Sequence, residues 1–226
     1  MRLGVLCSGG KDSLFACWKA MQKEDVVCLI TVRSGNPWSY MFHTPNIHLV
    51  GLQAEASGLP LVGVETRGEK EDELGDLAKA LRIARDEYEL EGVVTGAVLS
   101  VYQASRIQVI CNDLDLWCFN PLWHTDQDTY MDALVSSGFR VIISGVFSEP
   151  FDERWLGREI DPAAIRELKQ ARERWKITLT GEGGEYETSV LDAPFFHKKI
   201  IINKAEKHYS NCTGVFSITD AGLVDK

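Results

Sequence analysis

Three clusters in this chain carry residue types that could do chemistry. The first is Ser8-Gly9-Gly10-Lys11-Asp12-Ser13. It follows an apolar run, Leu3 to Cys7, and precedes a segment where Leu14, Trp18 and Met21 recur at helical spacing. That order predicts a strand, a tight glycine turn and a helix start. Such a junction aims backbone N–H groups and the positive end of a helix dipole at one spot, which favours an anion. Glycines let a phosphate approach the backbone. Ser8 and Ser13 add hydroxyls, and Lys11 adds charge. A plain glycine turn with a serine cap fits the same residues.

The second cluster runs from Gly96 through Ser100, Gln103 and Arg106. It follows an apolar run, Gly92 to Thr95, read as a strand. Ser100, Gln103 and Arg106 stand three apart and so lie near one helix face. They would sit at the carboxyl edge of a sheet, where open parallel sheets bind ligands. An exposed polar helix face would read the same way. The third cluster, Gly181-Glu182-Gly183-Gly184-Glu185-Tyr186-Glu187-Thr188, holds three glycines and three carboxylates in eight residues. It reads either as a mobile acidic loop or as a loop that binds an ammonium, an amine or a Mg²⁺-nucleotide.

Elements must position these clusters. Apolar runs at Leu3–Cys7, Val26–Val32, Leu59–Glu65, Gly92–Thr95 and Leu116–Phe119 are separated by helical patterns, which predicts a parallel sheet. One helix is read from Leu49 to Ala56. Another has its apolar face on Leu74, Leu77, Ala78, Leu81, Ala84 and Tyr88. The loop from Arg33 to Thr44 is long enough to suggest a purpose, and His43 could touch substrate there. Asn120-Pro121-Leu122-Trp123-His124 breaks regular structure, so the chain divides into 1–124 and 125–226. The second part reads as a helix over Asp128–Ser137, a strand over Phe139–Val146 and a helix opening on Asp161-Pro162. A short strand over Ile177–Leu179 follows, then two closing strands, Lys199–Asn203 and Val215–Thr219.

Composition narrows the classes. A chain of 226 residues, 45% hydrophobic and 25% charged, can bury a sizeable core. A formal charge of −9 argues against a broad nucleic-acid grip. No apolar run reaches the roughly 18–20 residues of a membrane span. The opening strand leaves no room for a signal peptide. Six scattered cysteines without a CxxC pair point to a reduced, cytoplasmic compartment rather than to a thiol or zinc site.

The first cluster is neither GxxxxGK[ST] nor GxGxxG. SGGKDS at a strand-to-helix junction resembles the pyrophosphate loop (PP-loop) of the ATP pyrophosphatase superfamily. Its members cleave ATP between the α and β phosphates and adenylate a carbonyl or carboxyl oxygen. Further motifs narrow the resemblance: Met41-Phe42-His43-Thr44, Gly96 with Ser100, Tyr102, Gln103 and Arg106, Pro121-Leu122-Trp123, Trp155-Leu156-Gly157-Arg158, and above all Gly181–Thr188 with Leu191-Asp192-Ala193-Pro194. From Leu3 to about Ile202 the chain resembles the diphthine–ammonia ligase family, in its compact archaeal form without the extra C-terminal domains of eukaryotic members. Thr180 stands where many relatives would carry cysteine.

The resemblance implies an α/β fold: an adenine nucleotide α-hydrolase-like PP-loop domain with a smaller C-terminal α+β domain for substrate recognition. It implies that diphthine on translation elongation factor 2, ATP and ammonium give diphthamide, AMP and pyrophosphate, with ATP and Mg²⁺ required. Ser8, Gly9, Gly10 and Ser13 would hold the departing phosphates, and Lys11 would neutralise them. Asp12 would order the loop or hold Mg²⁺. Gly96, Ser100 and Gln103 would bind nucleotide, and Arg106 would steady the α phosphate. By superfamily analogy, Ile30 to Val32 would pack near adenine. Glu182, Glu185 and Glu187 would handle ammonium or the trimethylammonium of diphthine. His43, Trp123, Gly183, Gly184, Tyr186 and Thr188 would contact substrate, with Trp123 and Trp155 as cation–π partners or as core. The reading includes a homodimer, and no membrane or nucleic-acid partner. A tRNA-modifying pyrophosphatase and a non-enzymatic ATP-binding module are the competing readings.

Overall fold

The computed structural model describes residues 1–34, 45–67 and 72–226. His43 and the Met41–Thr44 motif lie outside these residues. The first half runs β1 (Arg2–Leu6), α1 (Lys11–Met21), β2 (Asp25–Ser34), α2 (Leu49–Ser57), β3 (Leu61–Thr66), α3 (Asp72–Tyr88), β4 (Gly92–Val94), α4 (Val101–Asp113) and β5 (Trp117–Phe119). Its five strands pair in parallel in the order β3-β2-β1-β4-β5. β1 and β4 are buried on both faces, hence their unbroken apolar runs. The chain winds outward from β1 on one side and returns to β4 on the other. The crevice between the carboxyl ends of β1 and β4 is therefore the topological switch point, where such sheets bind ligands.

The second half contains α5 (Gln127–Ser136), β6 (Arg140–Val146), a 3₁₀ turn at Glu153–Trp155, α6 (Pro162–Trp175), β7 (Tyr186–Asp192), β8 (Lys198–Ser210) and β9 (Thr213–Asp225). Its strands form an antiparallel sheet, β7-β6-β9-β8. The α/β architecture with a parallel sheet and a smaller α+β part is the one anticipated. Asp126 and Asp161 cap α5 and α6, accepting from Thr129 N–H at 2.9 Å and Ala164 N–H at 2.7 Å. Among the described residues no helix is long and apolar enough to cross a membrane.

The two halves share one core. Leu3, Val5, Leu14 and Phe15 pack in the same cluster as Tyr130, Leu134, Val141 and Ile143. Helix α1 lies inside it, with Leu14, Phe15, Ala16 and Cys17 all buried. This corrects the one-faced helix read from Leu14, Trp18 and Met21, because a helix between two layers buries nearly its whole circumference.

Two further corrections concern strands. Ile177–Leu179 forms no strand. Its backbone is satisfied by side chains instead: Thr178 N–H donates to Glu185 Oε1 at 2.6 Å and Leu179 N–H to Gln127 Oε1 at 2.6 Å. The strand begins nine residues on from Ile177, inside the acidic cluster, so Tyr186, Glu187 and Thr188 belong to β7 rather than to a loop. β8 and β9 are also far longer than read, 13 residues each. Asn211 and Cys212, both left-handed (φ 49° and 61°), close them into a hairpin as a two-residue turn. Four of the six cysteines are buried, and all six are free.

Candidate active site

The switch-point crevice opens into a cavity of about 290 Å³. One wall is the turn after β1: Ser8, Gly10, Lys11, Asp12 and Ser13. Thr95, Gly96, Ala97 and Gln103, which follow β4, form the second. Ile30, Val32, Leu77 and Ile107 give an apolar end, and Thr180, Gly181, Glu182, Tyr186, Glu187 and Thr188 close the far side.

The turn after β1 sets a helix start against the cavity. Gly9 takes φ +80°, and Gly10 caps α1 with no side-chain hydrogen bond. Gly10 thus offers the first-turn N–H groups of α1 no capping side chain; Thr188 engages that of Lys11, and Asp12 and Ser13 line the cavity. Ser13 Oγ donates to Gly10 C=O at 3.1 Å and lies 3.4 Å from Ser8 Oγ. Gly96 must be glycine for steric reasons. A Cβ there would lie 2.6 Å from Ser13 N and 2.7 Å from Asp12 C.

β7 is an edge strand, and its free edge docks on this turn. Val190 N–H donates to Gly9 C=O at 3.0 Å, and Lys11 N–H donates to Thr188 Oγ1 at 3.1 Å. Gln53, fully buried on α2, donates through Nε2 to both Gly9 C=O and Val190 C=O, each at 2.9 Å. The phosphate-type loop and the acidic segment are thus joined by hydrogen bonds.

Lys11 is buried, and its ammonium is already engaged. It donates to Thr180 C=O at 2.5 Å and to both Asp12 carboxylate oxygens at 3.0 and 2.9 Å. Asp12 Oδ1 also accepts from the Tyr130 hydroxyl at 2.8 Å. Burial, then the negative charge of Asp12, pushes the Tyr130 phenol well up, so it stays a donor. Tyr130→Phe keeps the ring packing on Phe15, 5.2 Å between centroids. Losing a hydrogen bond to a carboxylate costs about 1.5–3 kcal/mol. The variant should therefore raise KM for ATP roughly tenfold while melting cooperatively, as read by AMP release and calorimetry.

The three glutamates separate by environment. Glu182 Oε2 accepts from Leu99 N–H at 3.0 Å, at the start of α4. Burial and then the Asp12 charge raise its carboxyl above the usual range. Glu185 does not line the cavity; Thr178 holds both its oxygens through N–H at 2.6 Å and Oγ1 at 2.8 Å. Glu187 faces the cavity, and its Oε2 is buried with no hydrogen-bond partner. Burial pushes its carboxyl up to about 7, with Lys11 pulling the other way.

The structure thus gathers Ser8, Gly10, Lys11, Asp12, Ser13, Gly96, Gln103, Glu182, Tyr186, Glu187 and Thr188 around one cavity. Gly9 shapes the turn from behind. Ser100, Arg106, Trp123, Gly183, Gly184 and Glu185 do not line it. Ser100 is the N-cap of α4. From there each step of three residues climbs about 4.5 Å, and Arg106 ends stacked on Tyr102, 4.6 Å from the ring. Trp123 packs edge-on to His124, and Trp155 is a core residue with Arg158 over its ring at 4.5 Å. The sequence reading singles out neither Tyr130 nor Gln53, and it gives Thr180 no role. Gln53 had one signal, a glutamine within an apolar helix. Tyr130 had none, since its helix reads as ordinary core.

The sequence profile of the diphthamide synthase N-terminal domain matches residues 1–117, and that of the diphthamide synthase C-terminal domain matches 126–224. The chain belongs to the diphthamide synthase family. Among its relatives is the diphthine–ammonia ligase of Bos taurus, 34% identical over 229 residues, covering 91% of this chain and 84% of the relative. The diphthine–ammonia ligase of Schizosaccharomyces pombe is 30% identical over 91% of this chain but only 37% of its own length. Among solved structures, the chain is similar to one described as a predicted subunit of tRNA methyltransferase from Methanocaldococcus jannaschii. That likeness has 19% identity, a TM-score of 0.46, and covers 85% of this chain and 97% of that one. In this chain the two profile-matched segments meet at the cavity: residues 1–117 supply the turn after β1, the segment after β4 and the apolar end, and residues 126–224 close the far side.

Proposed function

We propose that this chain catalyses the ATP-dependent amidation of diphthine on translation elongation factor 2 with ammonium, giving diphthamide, AMP and pyrophosphate through an acyl-adenylate. The observation that carries the reading is the cavity itself. A strand-end loop at a helix N-terminus faces an acidic segment, and the diphthamide synthase profiles cover both. Residues 1–124 would serve as the ATP-binding half and 125–226 as the recognition half.

In this reading the diphthine carboxylate attacks the α phosphorus, and pyrophosphate leaves against the N–H groups and hydroxyls of Ser8–Ser13. Donors fixed in place before the reaction stabilise such developing charge by about 3 kcal/mol each. Lys11 contributes its charge from a fixed position, since Thr180 C=O and Asp12 hold it. Ile30, Val32, Leu77 and Ile107 offer the apolar surface that suits adenine. Magnesium fits only as a companion of ATP. Asp12 is the one carboxylate on the loop, and Lys11 and Tyr130 already engage it. Among the described residues no group of three or more His, Cys, Asp or Glu could hold a metal. Mg²⁺ would rest mainly on phosphate oxygens, as it commonly does at nucleotide sites.

The test measures AMP and pyrophosphate from ATP with and without diphthine-bearing elongation factor 2 and ammonium. Stoichiometric AMP and diphthamide, dependent on both, is the expected result. Turnover stimulated by tRNA, or ATP binding without turnover under every condition, would overturn the reading.

A further inference from the structure

Amidation leaves a chemical problem. Ammonium is the abundant form at neutral pH, yet only neutral ammonia can attack an acyl carbon. The site must therefore bind a small cation and remove its proton beside the adenylate, which calls for an uncommitted carboxylate.

Glu185 is committed to Thr178, and Glu182 to the start of α4. Glu187 Oε2 is buried and unpartnered, and so is Thr180 Oγ1. Both residues line the cavity. They flank the same turn: a Cβ at Gly181 would lie 2.7 Å from Tyr186 C=O, so the chain entering and leaving the turn runs side by side. Two buried acceptors without donors are costly unless something supplies N–H groups. Ammonium has four. Lys11 does not fill this role, because its charge is matched by Asp12 and its third hydrogen bond goes to Thr180 C=O.

We propose, resting on the amidation reading above, that Glu187 and Thr180 form the ammonium site of this cavity and that Glu187 is the base that deprotonates the bound ammonium. Thr180 Oγ1 accepts one N–H and Glu187 Oε2 another. The Glu187 carboxylate takes a proton and becomes the neutral acid. The nitrogen lone pair forms the C–N bond at the acyl carbon, and the bond from that carbon to the AMP oxygen breaks with its electron pair leaving on AMP. A second N–H proton passes to water, and Glu187 later releases its own. Burial raises the basicity of this carboxylate above that of a surface glutamate, which suits proton transfer near neutral pH. Lys11 is the charged group that acts on it, and Asp12, Glu182, Tyr186 and Cys7 line the same cavity.

Hydroxylamine provides the test, because it is largely uncharged at neutral pH and attacks without first surrendering a proton. With the full chain, ATP and diphthine-bearing elongation factor 2, the unaltered enzyme should form amide from ammonium and hydroxamate from hydroxylamine. Glu187→Gln should lower kcat/KM for ammonium roughly 100-fold or more and leave hydroxamate formation nearly unchanged. Thr180→Val should raise KM for ammonium roughly tenfold while KM for ATP holds. Equal loss with both nucleophiles in Glu187→Gln, or an unaltered ammonium dependence, would overturn the proposal. If the unaltered enzyme forms neither product, the amidation reading fails first.

Discussion

Gly96→Val should cut kcat/KM for ATP by about two orders of magnitude while leaving a folded protein. Gly96 ends the β4 side of the crevice, and a Cβ there would meet Ser13 N at 2.6 Å, Asp12 C at 2.7 Å and Ser13 Cα at 2.9 Å. These are backbone atoms in the first turn of α1, so no side chain can swing aside. The turn itself must move, and it carries the donors aimed at phosphate. A displacement near 1 Å at a reacting group costs about 100-fold, whereas the overpacking costs about 1–3 kcal/mol of stability. Gly51 is the control. It lies within α2 with nothing inside 4 Å of its would-be Cβ. Gly51→Ala should therefore stabilise by about 0.5–1 kcal/mol and leave ATP kinetics alone. Equal kinetics for the two variants would refute the close-approach argument.

The second large effect is on stability. Glu187→Gln should be more stable than the unaltered chain at pH 8 and equal to it near pH 4. The carboxyl titrates near its ordinary 4.5 when unfolded and at about 7 when folded, because burial disfavours its charge. A folded-state value above the unfolded one means that stability is complete below pH 4.5. It then declines as pH rises and levels off above about pH 7. At about 1.4 kcal/mol per pH unit the interval is worth about 3 kcal/mol. A chain of this length gains about 2–4 °C in melting temperature per kcal/mol. Glutamine carries no charge and escapes the loss. Melting curves from pH 4 to 8, without ATP, should show the two proteins diverging between those limits. Parallel curves would mean that Glu187 is solvated in the folded state. The expected gain identifies a carboxylate kept at the expense of stability, which is common where a group serves the reaction.

Local patterns were readable because they depend on neighbours along the chain. The β1–turn–α1 junction follows from an apolar run, two glycines and a helical repeat, and β4 followed by Gly96 reads the same way. The parallel sheet follows from unbroken apolar strands separated by helices. Periodicity misjudged α1, because its neighbours on every side come from distant segments. It also misplaced the strand near Ile177, where side chains of Gln127 and Glu185 take the backbone donors that a ladder would otherwise use.

What the sequence determined by itself was the inventory: a phosphate-type loop, a second strand end and an acidic, glycine-rich stretch. The family resemblance added their connection. Tertiary structure alone decided which members meet. Glu182, Glu185 and Glu187 are equivalent as letters, yet one accepts from Leu99 just before α4, one pins its own loop and one keeps an unpartnered oxygen in the cavity. Spacing put Arg106 with Ser100 and Gln103, but the climb of the helix carried it to Tyr102. Tyr130 and Thr180 reach Asp12 and Lys11 from 118 and 169 residues away. Hydrogen bonds are made over a few ångströms in space, and separation along the chain carries no information about them until the two halves pack.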